Sequence, residues 1–354
     1  MTGLDREAEQ VRLVVVDDSP ICRAAIRAAL ERDPQLVVVG EAADGIEALE
    51  LVERLRPAVI TLDLRMPRMD GLTCIERIME LHPTPILVAT DHPDGHGVDL
   101  SFEAISRGAL ELILKPTLDA SAAECAALSR QVKLFARVRV LRLRGRHRPP
   151  TEASSLRPHG APPAVIGLGA STGGPAVLST ILRALPAGGP PVAIVQHTGA
   201  AFGESLVAWL TQSSGHSVRL AQHDAQLRPG EVVLAPPGRE LTVGADHRLR
   251  LGSGAPGALH VPSVDALFHS LATAYGAAAV GVLLTGMGRD GAQGLLAMRA
   301  RGATTLAQDR ESSVVYGMPR AAAELGAATH VLPPPELAAL LVALSGPARQ
   351  QPRP

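Results

Sequence analysis

The chain has 354 residues, 46% of them hydrophobic, which at about 150 residues per domain predicts two cores. Aromatic residues make up only 2%, so a single-strand nucleic-acid binder that stacks bases on aromatic rings is excluded, and no nucleic-acid partner is expected. The formal charge of −1 gives no general attraction to polyanions or to membrane surfaces. The first ten residues are polar and acidic, unlike a secretory signal, and no apolar run approaches the roughly 20 residues that span a bilayer. A cytoplasmic location without direct membrane insertion is the expectation. Cys22, Cys74 and Cys125 lack any Cys-x-x-Cys spacing and read as reduced, small core residues.

In chain order, apolar runs of strand length occur at 13–16, 37–39, 59–62, 86–89 and 112–114, separated by helical stretches. This five-unit alternation predicts an α/β fold, a doubly wound parallel sheet of the flavodoxin-like kind. Arginines then cluster at 137, 139, 142, 144, 146 and 148. With no nucleic-acid motif beside it, this cluster reads as the end of a helix and an exposed basic linker, completed by Pro149, Pro150 and a Ser/Pro/Gly-rich tract. A second α/β domain follows, with strands expected at 165–168, 192–195, 232–235, 279–284 and 304–307 in a mainly parallel sheet. The division expected is a first domain over 1–130, a linker over 131–162, a second domain over 163–345 and a frayed tail over 346–354.

In the first domain Asp17 and Asp18 end the first strand, Asp63 the third, Thr90 the fourth and Lys115 the fifth. In a parallel sheet all five face one rim. Three carboxylates held together repel, and a hard divalent cation such as Mg²⁺ relieves this through oxygen ligands. Lys115 and Thr90 suit the oxygens of a phosphoryl group on one of the acids. With Asp63-Leu-Arg-Met-Pro-Arg-Met-Asp-Gly71, this half resembles the response-regulator receiver domain. The resemblance implies that Asp63 accepts a phosphoryl group from a sensor histidine kinase. It also implies that Asp17, Asp18 and Asp63, with the Arg65 carbonyl, hold Mg²⁺, and that Thr90 and Lys115 sense the phosphate. Two departures bear on coupling to an output surface: Asp91 follows Thr90 where a small residue is usual, and Leu112 stands where receivers often carry a switch aromatic.

In the second domain Gly167-Leu-Gly-Ala-Ser171-Thr-Gly-Gly174 follows an apolar run and opens a helix. Ser171 is a candidate nucleophile, a role that needs a base and a group to orient it. His197 and Asp290, each just past a buried-type strand, complete the candidate triad. A dinucleotide loop also begins Gly-x-Gly, but it requires an acid after the next strand, and Gln196-His197 stands there. Asp290 alone could be the N-cap of a helix starting near Gly291.

Five motifs extend the comparison across this half: Gly169-Ala-Ser-Thr-Gly-Gly174, Gln196-His197, Pro262-Ser-Val-Asp-Ala-Leu-Phe268, Leu284-Thr-Gly-Met-Gly-Arg-Asp-Gly291 and Val315-Tyr-Gly-Met-Pro-Arg320. In their order and combination the chain resembles the chemotaxis protein-glutamate methylesterases and glutamine deamidases. The resemblance implies Ser171 as nucleophile, His197 as base, Asp290 as orienting acid, oxyanion donors near Thr172 and Met287, and no cofactor for the hydrolysis itself. It implies methylated chemoreceptors, in their cytoplasmic helical region, as substrate, methanol as product, and a receiver that blocks the active-site face until it is phosphorylated. Thr198-Gly199 replaces the commoner Met-Pro at the lip of the cleft. A receiver-coupled esterase on another substrate and a non-catalytic signalling adaptor are the alternative readings.

Overall fold

The computed structural model describes residues 10–91, 98–138, 140, 162–254 and 260–346. The chain divides into two compact units, 1–146 and 147–354. The arginine-rich positions 139, 142, 144, 146 and 148, the Pro-rich tract to 161 and the tail from 347 lie outside the described residues.

In the first unit β1 (Val11–Val16), β2 (Leu36–Ala42), β3 (Val59–Leu62), β4 (Ile86–Thr90) and β5 (Glu111–Leu114) form one sheet in the order β2-β1-β3-β4-β5, all pairs parallel. The helices are α1 (Pro20–Leu30), α2 (Gly45–Leu55), α3 (Gly71–Leu81), α4 (Val98–Ser106) and α5 (Ala122–Phe135). Helices on both faces bury the central strands completely, which is why Leu13 to Val16 and Val59 to Leu62 are continuous apolar runs rather than alternating ones. Four helix starts, those of α1, α2, α3 and α5, are fixed by a short polar side chain. Ser19, Asp44 and Asp70 accept from the first-turn amides of α1, α2 and α3, and Ser121 with Glu124 forms a reciprocal capping box on α5. α5 runs to Phe135, and Val138 and Val140 still pack against the core beyond it.

The second unit contains β6 (Val165–Ala170), α6 (Gly174–Ala184), β7 (Val192–Gln196), α7 (Gly203–Ser214), β8 (Val218–Leu220), β9 (Val232–Leu234), β10 (Glu240–Val243), β11 (Leu249–Gly252), α8 (Val264–Tyr275), β12 (Ala279–Leu283), α9 (Ala292–Ala300), β13 (Thr304–Gln308), α10 (Met318–Glu324), β14 (His330–Leu332) and α11 (Pro334–Ser345). Seven strands form a parallel sheet in the order β14-β13-β12-β6-β7-β9-β8, and β10 and β11 make a separate antiparallel hairpin. The five strands expected from sequence are present; β8, β14 and the hairpin are additional. With so few aromatics the core is aliphatic, and Phe268 on α8 is its largest fully buried ring. Among the described residues no helix is long and apolar enough to cross a membrane.

Candidate active site

Three adjacent strands at the middle of the second sheet, β12, β6 and β7, end at one rim, where parallel strands deliver their following loops to a common crevice. Ser171 leaves β6, His197 leaves β7, and Thr285 to Asp290 leaves β12. The register holds Ala170 opposite Gln196, and the His197 N–H donates to the Ala170 carbonyl at 3.0 Å, so the serine and the histidine emerge side by side.

Ser171 is buried to 9% exposure and held through its backbone. Its N–H donates to the Thr285 carbonyl at 3.0 Å, and its carbonyl accepts from the Gly174 N–H and from Gln196 Nε2, both at 2.8 Å. Gln196 Nε2 also donates to the His197 carbonyl at 2.8 Å, so one buried amide ties the two main chains together. On the other side Gly286 approaches so closely that a Cβ there would lie 2.6 Å from Ser171 Cβ. Gly173, at φ 76°, makes the turn into α6 in the left-handed region that favours glycine. No side chain caps α6; its Gly174 N–H is taken by the Ser171 carbonyl and Pro175 has no N–H to give. Met287 follows Gly286 in the loop that packs on Ser171 from β12. Thr285 secures that loop: its hydroxyl donates to the Thr172 carbonyl at 3.0 Å and accepts from the Val315 N–H at 3.0 Å, while its own N–H donates to Gln308 Oε1 at 2.8 Å.

His197 Nε2 lies 2.8 Å from Asp290 Oδ2. An ionised carboxylate only accepts, so Nε2 carries the proton and Nδ1 keeps the lone pair. Nδ1 is buried and has no hydrogen-bond partner among the described residues. Asp290 does not cap α9; Gly291, at φ 87°, stands at that cap without a side-chain bond. Its carboxylate instead sits at the start of α8, where Oδ2 accepts the Val264 N–H at 2.7 Å, and Oδ1 accepts the Asp265 N–H at 3.0 Å and the Ser263 hydroxyl at 2.8 Å. Burial works to raise the Asp290 pKa, but the His197 bond and the two amides outweigh it and hold it down to about 2. The His260 ring stacks on His197 with centroids 4.3 Å apart and planes 10° from parallel. Burial first, then the neighbouring His197, keeps the His260 imidazole below its ordinary pKa, which favours the neutral ring.

Of the residues predicted from sequence, the structure brings Ser171, Thr172, His197, Met287 and Asp290 to one rim. Gln196, Ser263, Thr285 and Gln308 were not predicted with roles. Gln196, Ser263 and Thr285 fall inside the five sequence motifs, but nothing in sequence says which backbone atoms they bind.

The first unit has its own polar rim. Carboxylate oxygens of Asp17, Asp18 and Asp63 lie within 4.8 Å of one another, an all-oxygen set that fits a hard divalent cation. Lys115 Nζ lies 2.7 Å from Asp17, 3.3 Å from Asp63 and 3.3 Å from Asp91. Burial disfavours the charged ammonium, but these three acids outweigh it and raise its pKa. Asp63 Oδ1 accepts the Leu64 N–H at 2.8 Å, and burial above all raises the Asp63 pKa, against the pull of Lys115. Thr90 ends β4, and its carbonyl accepts the Lys115 N–H at 2.9 Å. Arg65 lies in the loop after β3, and Leu112 is buried in β5.

A parallel α/β unit with an acidic, lysine-bearing rim, followed by a second α/β unit with a Ser, His and Asp at one strand rim, defines a receiver-linked hydrolase. Residues 13–124 match the response regulator receiver domain family and residues 166–341 the CheB methylesterase family. The chain is 44% identical over 324 residues to protein-glutamate methylesterase/protein-glutamine glutaminase 1 of Caulobacter vibrioides, covering 90% of this chain and 93% of that protein. It is 43% identical to protein-glutamate methylesterase/protein-glutamine glutaminase 4 of Geobacter metallireducens, covering 95% and 99%. Among solved structures it is similar to the CheB methylesterase catalytic domain of Thermotoga maritima, at 32% identity and a TM-score of 0.50, over 52% of this chain and 99% of that one. The chain belongs to the protein-glutamate methylesterase/protein-glutamine glutaminase family.

Proposed function

We propose that this chain is a phosphorylation-regulated serine hydrolase that removes methyl esters from glutamyl side chains of chemoreceptors, releasing methanol, and deamidates receptor glutamines. The observation that carries this reading is the 2.8 Å bond from His197 Nε2 to a buried, charged Asp290, which leaves Nδ1, without a hydrogen-bond partner among the described residues, as the ring nitrogen able to accept a proton.

Ser171 Oγ attacks the γ-carbonyl of the ester and His197 Nδ1 accepts its proton. The imidazolium then returns that proton to the departing methanol, and water, activated by the same nitrogen, hydrolyses the acyl-enzyme. Asp290 fixes the imidazole tautomer and stabilises its charged form. Main-chain N–H groups near Thr172 and Met287 would donate to the oxyanion, where one donor contributes roughly 3 kcal/mol. With a glutamine substrate the same steps expel ammonia. The hydrolysis uses no cofactor.

Domain 1–130 acts as the receiver, joined through the linker 131–162 to the catalytic domain 163–345. Asp63 accepts the phosphoryl group from a sensor histidine kinase. Asp17, Asp18 and Asp63, with the Arg65 carbonyl, would hold Mg²⁺, which supplies charge neutralisation for phosphoryl transfer. Lys115 and Thr90 bind the phosphoryl oxygens, and the added charge redistributes the Lys115 ion pairs. The protein acts in the cytoplasm, on the helical receptor segments exposed there.

The test is methanol release from methylated receptor membranes with and without a small phosphodonor and Mg²⁺. Release should vanish in Ser171→Ala and lose its phosphodonor response in Asp63→Asn. A folded wild-type protein that releases no methanol, including after removal of residues 1–150, would return the chain to an adaptor role or to another ester.

A further inference from the structure

Behind the imidazole lies a second carboxylate that the proposed triad does not use. Glu240, at the start of β10, accepts the Ser263 N–H through Oε2 at 2.7 Å. The Ser263 hydroxyl donates to Asp290 Oδ1 at 2.8 Å, and Asp290 Oδ2 accepts His197 Nε2–H at 2.8 Å. A continuous hydrogen-bonded path therefore runs from the β10–β11 hairpin, through the N-cap of α8, to the base. Ser263 joins two jobs in one residue: its side chain caps α8 at the Ala266 N–H and steadies Asp290, while its backbone is tethered by Glu240.

We propose that Glu240 is a positioning residue of the hydrolytic site, which fixes the α8 cap and through it the Asp290–His197 pair, and which places a second negative charge behind the base. The inference rests on the serine-hydrolase reading above. Asp290 and His197 are the ionisable groups that act on Glu240, and His197 in turn acts on Asp290 and His260. Arg239, the neighbour of Glu240 in the chain, is not among the groups that act on it; the Arg239 guanidinium donates to the carbonyls of Leu251 and Gly252. Burial is the main influence that raises the Glu240 pKa, with Ser263 lowering it, Asp290 raising it and His197 lowering it, so the carboxylate and the imidazole are electrostatically linked. A carboxylate that merely satisfied an amide would do as well in neutral form. One that supports the base must act through its charge, because an imidazolium forms during the reaction and a nearby anion stabilises it.

Two substitutions separate these roles. Glu240→Gln keeps an acceptor for the Ser263 N–H and removes the charge; Glu240→Ala removes both. Without the anion the imidazolium is less favourable. The acid limb of the kcat/KM profile for methyl ester hydrolysis should then move to lower pH by roughly half a unit in Glu240→Gln. Plateau kcat should fall a few-fold with KM unchanged. Glu240→Ala should show the same shift and a further loss in kcat on the order of tenfold as the pair loses its anchor. A Glu240→Gln protein with the wild-type profile and kcat overturns the inference, whether or not Glu240→Ala loses stability. The pH dependence of Ser171 labelling by a fluorophosphonate gives a second readout that needs the nucleophile and base but no receptor. If wild type labels at Ser171 but releases no methanol, the substrate assignment fails while the labelling limb still tests Glu240. An unshifted labelling limb in Glu240→Gln overturns it there too.

Discussion

Asp290→Asn tests the centre of the proposed mechanism because the carboxylate accepts four donors at once: His197 Nε2–H and the Val264 N–H on one oxygen, the Ser263 hydroxyl and the Asp265 N–H on the other. An amide group offers only one acceptor end. If its NH₂ faces His197, it meets the Val264 N–H and drives the imidazole to the tautomer with the proton on Nδ1, which cannot take a proton from Ser171. If it faces Asp265, two N–H groups oppose each other at the start of α8. Asp290 is held down to about 2 from an ordinary 3.8 with its side chain only 10% exposed. That depression corresponds to about 2 kcal/mol of stability. Because the folded-state pKa lies below the unfolded one, this contribution is full above pH 4 and is lost as the pH falls through 2. Trp209, the one tryptophan of the chain, is buried in α7 and reports unfolding of the second unit alone. Urea unfolding followed by its fluorescence should show Asp290→Asn less stable by about 2 kcal/mol at pH 7, with the gap closing toward pH 2. Methanol release should fall by roughly 10³ to 10⁴ in kcat. A kcat within tenfold of wild type, or a stability gap as large at pH 2 as at pH 7, would refute the assignment of Asp290 as an ionised orienting group.

Two further outcomes follow from the same geometry. Gly286→Ala would put a methyl group 2.6 Å from Ser171 Cβ, so the serine or the β12 loop must shift; methanol release should drop on the order of 10²-fold and Trp209-detected stability by about 1–3 kcal/mol. Chelation of divalent cations should abolish the rise in methanol release on adding a phosphodonor while leaving basal release unchanged, since the all-oxygen carboxylate set lies in the first unit and the Ser, His and Asp in the second; a loss of basal release would place a metal in the hydrolytic site instead.

Ser171, His197, Asp63 and Lys115 are legible in sequence for one physical reason. Each stands directly after a parallel strand, whose apolar run is recognisable and whose carboxyl end faces the rim where the loops gather. Asp290 was legible as a residue but not in its contacts: as a cap it pointed to α9, the next helix in the chain, whereas the carboxylate serves the preceding helix, α8. Of the strands that escaped, β8 and β14 are three-residue segments at the two edges of the sheet, too short for a periodic pattern. Gln196, Thr285 and Glu240 escaped for a different reason. They act by binding backbone groups of Ser171, Thr172 and Ser263, and a backbone group looks the same at every position of a sequence. Sequence therefore exposes the candidate reacting groups, because topology gathers them at strand ends. The residues that hold those groups still emerge only when the separate loops are seen packed together.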